Sequence, residues 1–221
     1  MLSNSEENYL KALLHLTLER GQAETGTNEL AASLEIKPAA VSLMLKKLKE
    51  KNLVLYKKYG GISLTSVGKK AAIEVIRKHR LWETFLCEKL DFSWSEVHTV
   101  AEQLEHIQSK KLIDELDKFL GFPKVDPHGE PIPSAKGELD FRSKITLSEA
   151  EIKKSYIVLG VKDDSSEFLE YVDKMECKIG TVIKILSVQP FDESLEVVMG
   201  NKKKMVTKKF AQSIFVKKKK A

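Results

Sequence analysis

His79 and Glu83 stand four residues apart, and His98, Glu102, Glu105 and His106 follow in one short stretch. Side chains three and four residues apart share a helix face. The first pair would therefore present one imidazole and one carboxylate together, and the second group two of each. Nitrogen and oxygen donors without a thiolate suit manganese or iron(II) better than a soft metal. A single His-x-x-x-Glu pair is more simply read as surface ion pairing or a buried structural histidine. Two such groups on neighbouring helices favour a metal centre. Of the five histidines, His15 falls on the apolar side of its helix and is assigned to packing, while His128 lies in a proline-rich stretch. Cys87 and Cys177 are far apart, which argues against a disulfide framework or a cysteine-rich zinc site.

The elements that must carry these groups begin with a winged helix-turn-helix over residues 1–70. Residues 8–20 have helical apolar spacing, with Tyr9, Leu10, Leu13 and Leu14 among the repeats. Thr27 is placed as the N-cap of a helix over 28–34, and a turn ending in Pro38 leads into a helix over 39–51. Val41, Met44, Leu45 and Leu48 form the apolar stripe of that second helix. Two β-prone runs around Gly60-Gly61 read as a hairpin wing, and Thr65 then caps a helix over 67–90. A further helix is expected over 95–120 as one unbroken element, ended by Gly121. Residues 122–140 hold four of the six prolines and read as a linker or ordered loop. Short β-prone runs at 156–161, 181–188, 195–199, 204–207 and 214–216, interrupted by a helix at 167–175, suggest a small barrel. The expected organisation is a DNA-binding domain over 1–70, a helical metal-binding and dimerisation domain over 71–140, and a β-domain over 150–218. The fold class is thus mainly α with a small β domain.

A helix-turn-helix places its second helix in the major groove. Ala39, Ala40 and Ser42 are small enough for close approach to base edges, and Lys37, Lys46 and Lys47 suit phosphate contacts. Thr27, Pro38 and, at the wing tip, Tyr59 complete the candidate DNA face. A lysine-rich helix alone is usually just a solvated face. The order helix, turn, helix, Gly-Gly hairpin, long helix tips the reading to DNA binding. Net charge is +5, with lysines gathered in the N-terminal third and acids between 96 and 117, consistent with a polyanion partner and then a cation. No run approaches the roughly 20 apolar residues of a membrane span, and residues 1–7 lack a signal-peptide core. A cytoplasmic protein without a membrane or small-molecule substrate is expected.

Three motifs carry a resemblance: Arg77-Lys-His-Arg-Leu-Trp-Glu83, Val97-His98 with Ala101-Glu102-Gln-Leu-Glu105-His106, and Asp126-Pro-His-Gly-Glu-Pro-Ile-Pro133. Together they resemble the diphtheria-toxin-repressor family of metal-dependent regulators, and within it the manganese-responsive members with a C-terminal SH3-like domain. The resemblance implies a homodimer on a palindromic operator, repressing metal-uptake genes when Mn2+ or Fe2+ is plentiful. It also implies two metal sites. The regulatory site would use Glu102, Glu105 and His106 with a first-helix donor at Asn8, Glu7 being a nearby substitute. A carboxylate at 102, where iron-responsive relatives often have cysteine, favours manganese, with iron(II) close behind. The second site would use His79, Glu83 and His98, completed either by Asp164 and Glu167 or by Asp126 and His128. Lys11 stands where binuclear members carry a carboxylate, which argues against their close metal pair. Three other readings compete. A metallohydrolase would use the His/Glu groups, although nothing resembles HExxH and no nucleophile is visible. A metal-independent winged-helix protein would bind DNA whether or not a chelator is present, and a metal buffer would bind no specific DNA.

Overall fold

A computed structural model describes residues 2–56, 60–138, 145–163 and 165–219. The chain divides into two compact units, each of them discontinuous in sequence. The first comprises Met1–His79, Gln103–Lys111 and Pro133–Glu138; the second comprises Arg80–Glu102, Leu112–Ile132 and Leu139–Ala221.

The first unit is built on α1 (Asn4–Arg20), α2 (Thr27–Ser33) and α3 (Pro38–Glu50), followed by a hairpin of β1 (Val54–Tyr56) and β2 (Ile62–Leu64). Helix α1 starts four residues earlier than its apolar period suggests. Ser3 accepts a hydrogen bond from the Glu6 amide, and Glu6 accepts one back from the Ser3 amide. This reciprocal cap satisfies two amides that an open helix end would leave without partners. Gly21, in the left-handed conformation, closes the helix. The N-cap of α2 is Gly26 rather than Thr27, because the Glu29 carboxylate accepts from the Gly26 amide and from the Thr25 hydroxyl. Pro38 occupies the first turn of α3, as expected. Val41, Leu45 and Leu48 on α3 meet Leu10, Leu13 and Leu14 on α1 and Leu30 on α2 in one buried cluster, which also takes in Ile62 of the hairpin. The side chain of Thr65 accepts from the Gly68 amide at the start of α4 (Ser66–Leu90). The wing residues 57–59, and with them Tyr59, lie outside the described residues.

The expected single helix over 95–120 is two: α5 (Trp94–Leu104) and α6 (Lys110–Phe119), separated by residues 105–109 in turn and extended conformation. No glycine or proline marks this break. The physical cause is tertiary: Glu105 is fully buried and engaged by polar partners from α1 and α4, which outweighs a few more helical residues.

In the second unit, six antiparallel strands pair in the order β3-β8-β4-β5-β6-β7. They are β3 (Ile145–Thr146), β4 (Ser155–Val161), β5 (Val182–Val188), β6 (Leu195–Met199), β7 (Lys202–Val206) and β8 (Ile214–Lys218). Two helices, α7 (Ser166–Lys174) and α8 (Lys208–Ser213), lie between strands in sequence; the second was not evident from the apolar pattern. Alternate residues of β4, Tyr156 and Val158, join Ile183, Ile185, Val197 and Phe210 in a second buried cluster. Trp94, at the start of α5, belongs to that cluster too. Among the described residues, no helix is long and apolar enough to cross a membrane.

Candidate metal centres and nucleic-acid interface

In the first unit, extension of α1 back to Asn4 sets Glu7 on the helix with its carboxylate buried. Glu7 Oε2 lies 2.6 Å from His106 Nδ1, and Glu7 Oε1 accepts from the Gln108 side chain at 2.7 Å. Asn8, the family's expected donor position, is exposed instead. Glu105 Oε2 lies 2.5 Å from His79 Nδ1 and accepts from Lys11 Nζ at 2.9 Å. Its other oxygen is buried and receives no well-directed hydrogen bond, although Lys11 Nζ is only 2.8 Å away and His106 Nε2 is 3.8 Å away. Burial alone would raise the Glu105 pKa, but the His79 hydrogen bond and the Lys11 charge outweigh it and hold the carboxyl below its ordinary value. Glu105 is therefore an anion at neutral pH. Two carboxylates and an imidazole are the nitrogen and oxygen donor types that hard and borderline divalent cations take. Glu102 does not belong to this unit.

In the second unit the hub is Glu83, buried on α4. Its Oε1 lies 3.4 Å from His98 Nδ1 and 3.6 Å from His128 Nδ1. Glu83, Asp126 and His128 each present a ligand atom within 4.8 Å of the others, and all three are buried. Asp126 Oδ1 accepts from the amides of His128 and Glu130, both at 2.9 Å, so the loop turns around its own carboxylate. The Arg80 guanidinium reaches Asp126, Glu130 and the carbonyl of Pro131. Burial and the Glu83 charge push the Asp126 pKa up, against the opposing pull of Arg80 and His128. For His128, burial disfavours the charged ring, but the Glu83 hydrogen bond and nearby carboxylate charge prevail and raise its pKa to about 9. Hydrogen bonds donated by the ring to Glu102 and Glu83 raise that of His98 to about 10. Carboxylates crowded in a buried space are stabilised by added positive charge, which protons or a metal cation can supply.

Asp126 and His128 stand beside Glu83, with His98 adjoining. His79 lies in the first unit with its ring on Glu105, one helical turn from Glu83 in sequence. Glu167 is exposed in the first turn of α7, and Asp164 lies outside the described residues. Glu102 is half-exposed, its carboxylate 3.5 Å from His98 Nε2. Reasoning from the sequence did not identify Arg80 or Gln108, although Arg80 sits within the quoted Arg77–Glu83 motif.

On the DNA face, Lys37, Pro38, Ala39 and Ala40 are exposed around the start of α3, as are Lys46 and Lys47 farther along it. Ser42 is half-buried and donates to the Pro38 carbonyl at 3.1 Å. Thr27 is half-buried in the first turn of α2.

Residues 1–62 match the iron dependent repressor N-terminal DNA binding domain, 65–134 the iron dependent repressor metal binding and dimerisation domain, and 145–218 the FeoA domain. The HTH-type transcriptional regulator MntR of Bacillus velezensis is 31% identical over 151 residues, 68% of this chain and 100% of that protein. A probable metal transport system membrane protein of Chlamydia trachomatis serovar D is 41% identical over 78 residues, 35% of this chain; the chain spans only 17% of that relative's length. Among solved structures, a manganese-dependent transcriptional repressor complex with manganese is 31% identical, with a TM-score of 0.83, covering 96% of this chain and 98% of that one.

Proposed function

Because the chain belongs to the diphtheria-toxin-repressor family of metal-dependent transcriptional regulators, we propose that it is a repressor activated by Mn2+ or Fe2+ that binds a palindromic operator as a homodimer and silences metal-uptake genes. The observation that carries this reading is the coexistence of two largely buried, all-nitrogen-and-oxygen donor groups with a winged helix-turn-helix.

At the first centre the donors are Glu7, Glu105 and His106, Glu7 standing where Asn8 was expected. At the second they are Glu83, Asp126 and His128, with His98 beside them. A bound divalent ion would supply positive charge that holds these carboxylates and imidazoles in one arrangement. The chain's own part is to present α3 to the major groove. Ala39, Ala40 and Ser42 lie near its start, and Lys37, Lys46 and Lys47 are positioned for phosphates. Metal that prefers the DNA-competent state shifts the population toward it, and DNA then tightens metal binding by the same factor. Two copies meet through apolar helix surface, to which Phe119, exposed at the end of α6, would contribute. The regulator is not an enzyme in this reading.

The test is fluorescence anisotropy on DNA upstream of its own gene and of neighbouring metal-transport genes, with chelator and then with manganese, iron(II) or zinc. Tight, salt-sensitive binding that appears only with metal is expected, manganese being the most effective. Binding indifferent to chelator would replace this reading with a metal-independent winged-helix protein.

A further inference from the structure

The loop that carries Asp126 and His128 touches the β-domain main chain to main chain. Gly129 has φ +84°, and a Cβ there would fall 1.8 Å from the Leu159 carbonyl oxygen. A Cβ on Gly160 would fall 2.1 Å from the His128 carbonyl oxygen. Neither position has room for any side chain, and at Gly129 the backbone conformation also favours glycine. Across the contact the Val161 amide donates to the His128 carbonyl at 2.8 Å. Strand β4 shifts register against β8 between Val158 and Gly160, an irregularity at the point where the loop arrives.

The His128 side chain is held from other directions. Its Nε2 lies 3.3 Å from the Trp94 carbonyl, and the two rings meet edge to face at 5.7 Å. Trp94 in turn belongs to the apolar cluster formed by Val161, Phe168 and the strands of the β-domain. Arg80 secures the opposite end of the loop at Asp126, Glu130 and Pro131. The imidazole that faces Glu83 is thus fixed in part by groups of β4 that donate nothing to a metal.

We propose that the Gly129–Gly160 contact, with the Val161–His128 hydrogen bond, makes the β-domain a positioning element of the second metal centre, so that filling that centre and docking the β-domain stabilise each other. This rests on the reading of Glu83, Asp126 and His128 as metal donors. If docking fixes His128, loss of docking must cost metal affinity, and by reciprocity metal must strengthen docking. Gly160 acts through His128 and is a positioning residue rather than a ligand.

The experiment uses the full chain and Mn2+ alone. Calorimetric titration of the wild type is expected to resolve two classes of site, and Glu83→Gln to abolish one. Gly160→Ala should weaken the same class tenfold or more and leave the other unchanged. Amide hydrogen exchange on the wild type supplies a readout that needs no variant. Protection of the Val161 amide should rise when Mn2+ is added, and should not rise in Glu83→Gln. If the wild type loads two classes but Gly160→Ala binds both normally, or if Val161 protection ignores the metal, the positioning role is overturned while the metal centre stands. If the wild type shows a single class that Glu83→Gln leaves untouched, the centre itself is misassigned and the inference falls with it. Should Gly160→Ala fail to fold, as judged by circular dichroism, the Val161 exchange result decides.

Discussion

Glu105 Oε2 lies 2.5 Å from His79 Nδ1, with the carboxylate wholly buried and the Lys11 ammonium on its other side. One carboxylate thereby serves as counter-ion to two basic groups from two helices, α1 and α4. Removing one member of a buried, paired set leaves the others without compensation. Glu105→Ala should therefore lose stability, by about 3 kcal/mol, read as a lowered midpoint in urea.

Glu105→Gln separates that structural effect from metal binding. The amide keeps the shape and one acceptor but has no charge for a cation. Its far-UV circular dichroism should match the wild type while metal-dependent DNA binding is lost, and His106→Ala should behave likewise. A Glu105→Gln protein with a full manganese response would move the first centre elsewhere.

Lys46 is exposed on α3, on the side away from Val41, Leu45 and Leu48. A phosphate contact adds affinity for any sequence and releases a counter-ion. Lys46→Ala should weaken operator and non-operator DNA by similar factors and reduce the slope of log affinity against log salt by about one per subunit. An unchanged slope would remove Lys46 from the interface.

Phe119 is 65% exposed near the end of α6, its ring 6.1 Å from that of Phe85. An aromatic side chain left this open gains by burial against a second copy. Phe119→Asp should raise the dimer dissociation constant at least tenfold by sedimentation, without lowering monomer stability. A dimer of wild-type strength would place the contact on another face.

Cys177 sits in the core of the β-domain, where burial pushes its thiol up to about 12, and burial likewise raises that of Cys87. The thiolate is the reactive form, and an ordinary thiol reaches it near pH 8.5. A raised pKa means less thiolate at any given pH. At pH 8 iodoacetamide should thus leave Cys177 unmodified in the folded protein and alkylate it promptly in denaturant. Mass spectrometry showing fast native labelling would contradict the burial of this residue.

Much of this architecture is legible from residue types. The Val41–Leu45–Leu48 stripe, the cap at Thr65 and the alternation along β4 each reflect local periodicity or local capping. The break at 105–109 does not, because it arises from partners distant in the chain: Lys11 and His79 draw Glu105 inward, and no residue near the break announces it. The same break undoes the argument that Glu105 and His106 share a helix face with His98. Glu7 was accessible in principle, since Ser3 and Glu6 have the spacing of a capping box and would have started α1 early enough to include it. The choice of Asp126 and His128 beside Glu83 depended on how a proline-rich loop turns, which side-chain patterns do not encode.

Among the described residues, the six-stranded sheet ends in β3 on one side and β7 on the other. Strand β3 is only two residues long, and β7 opens with Lys202, Lys203 and Lys204. Strand-by-strand accretion needs a long, uncharged template, and neither margin offers one. A β-domain so bounded resists polymerising into ribbons even at high concentration. In the proposed homodimer, self-association would then rest on side-chain packing between helices.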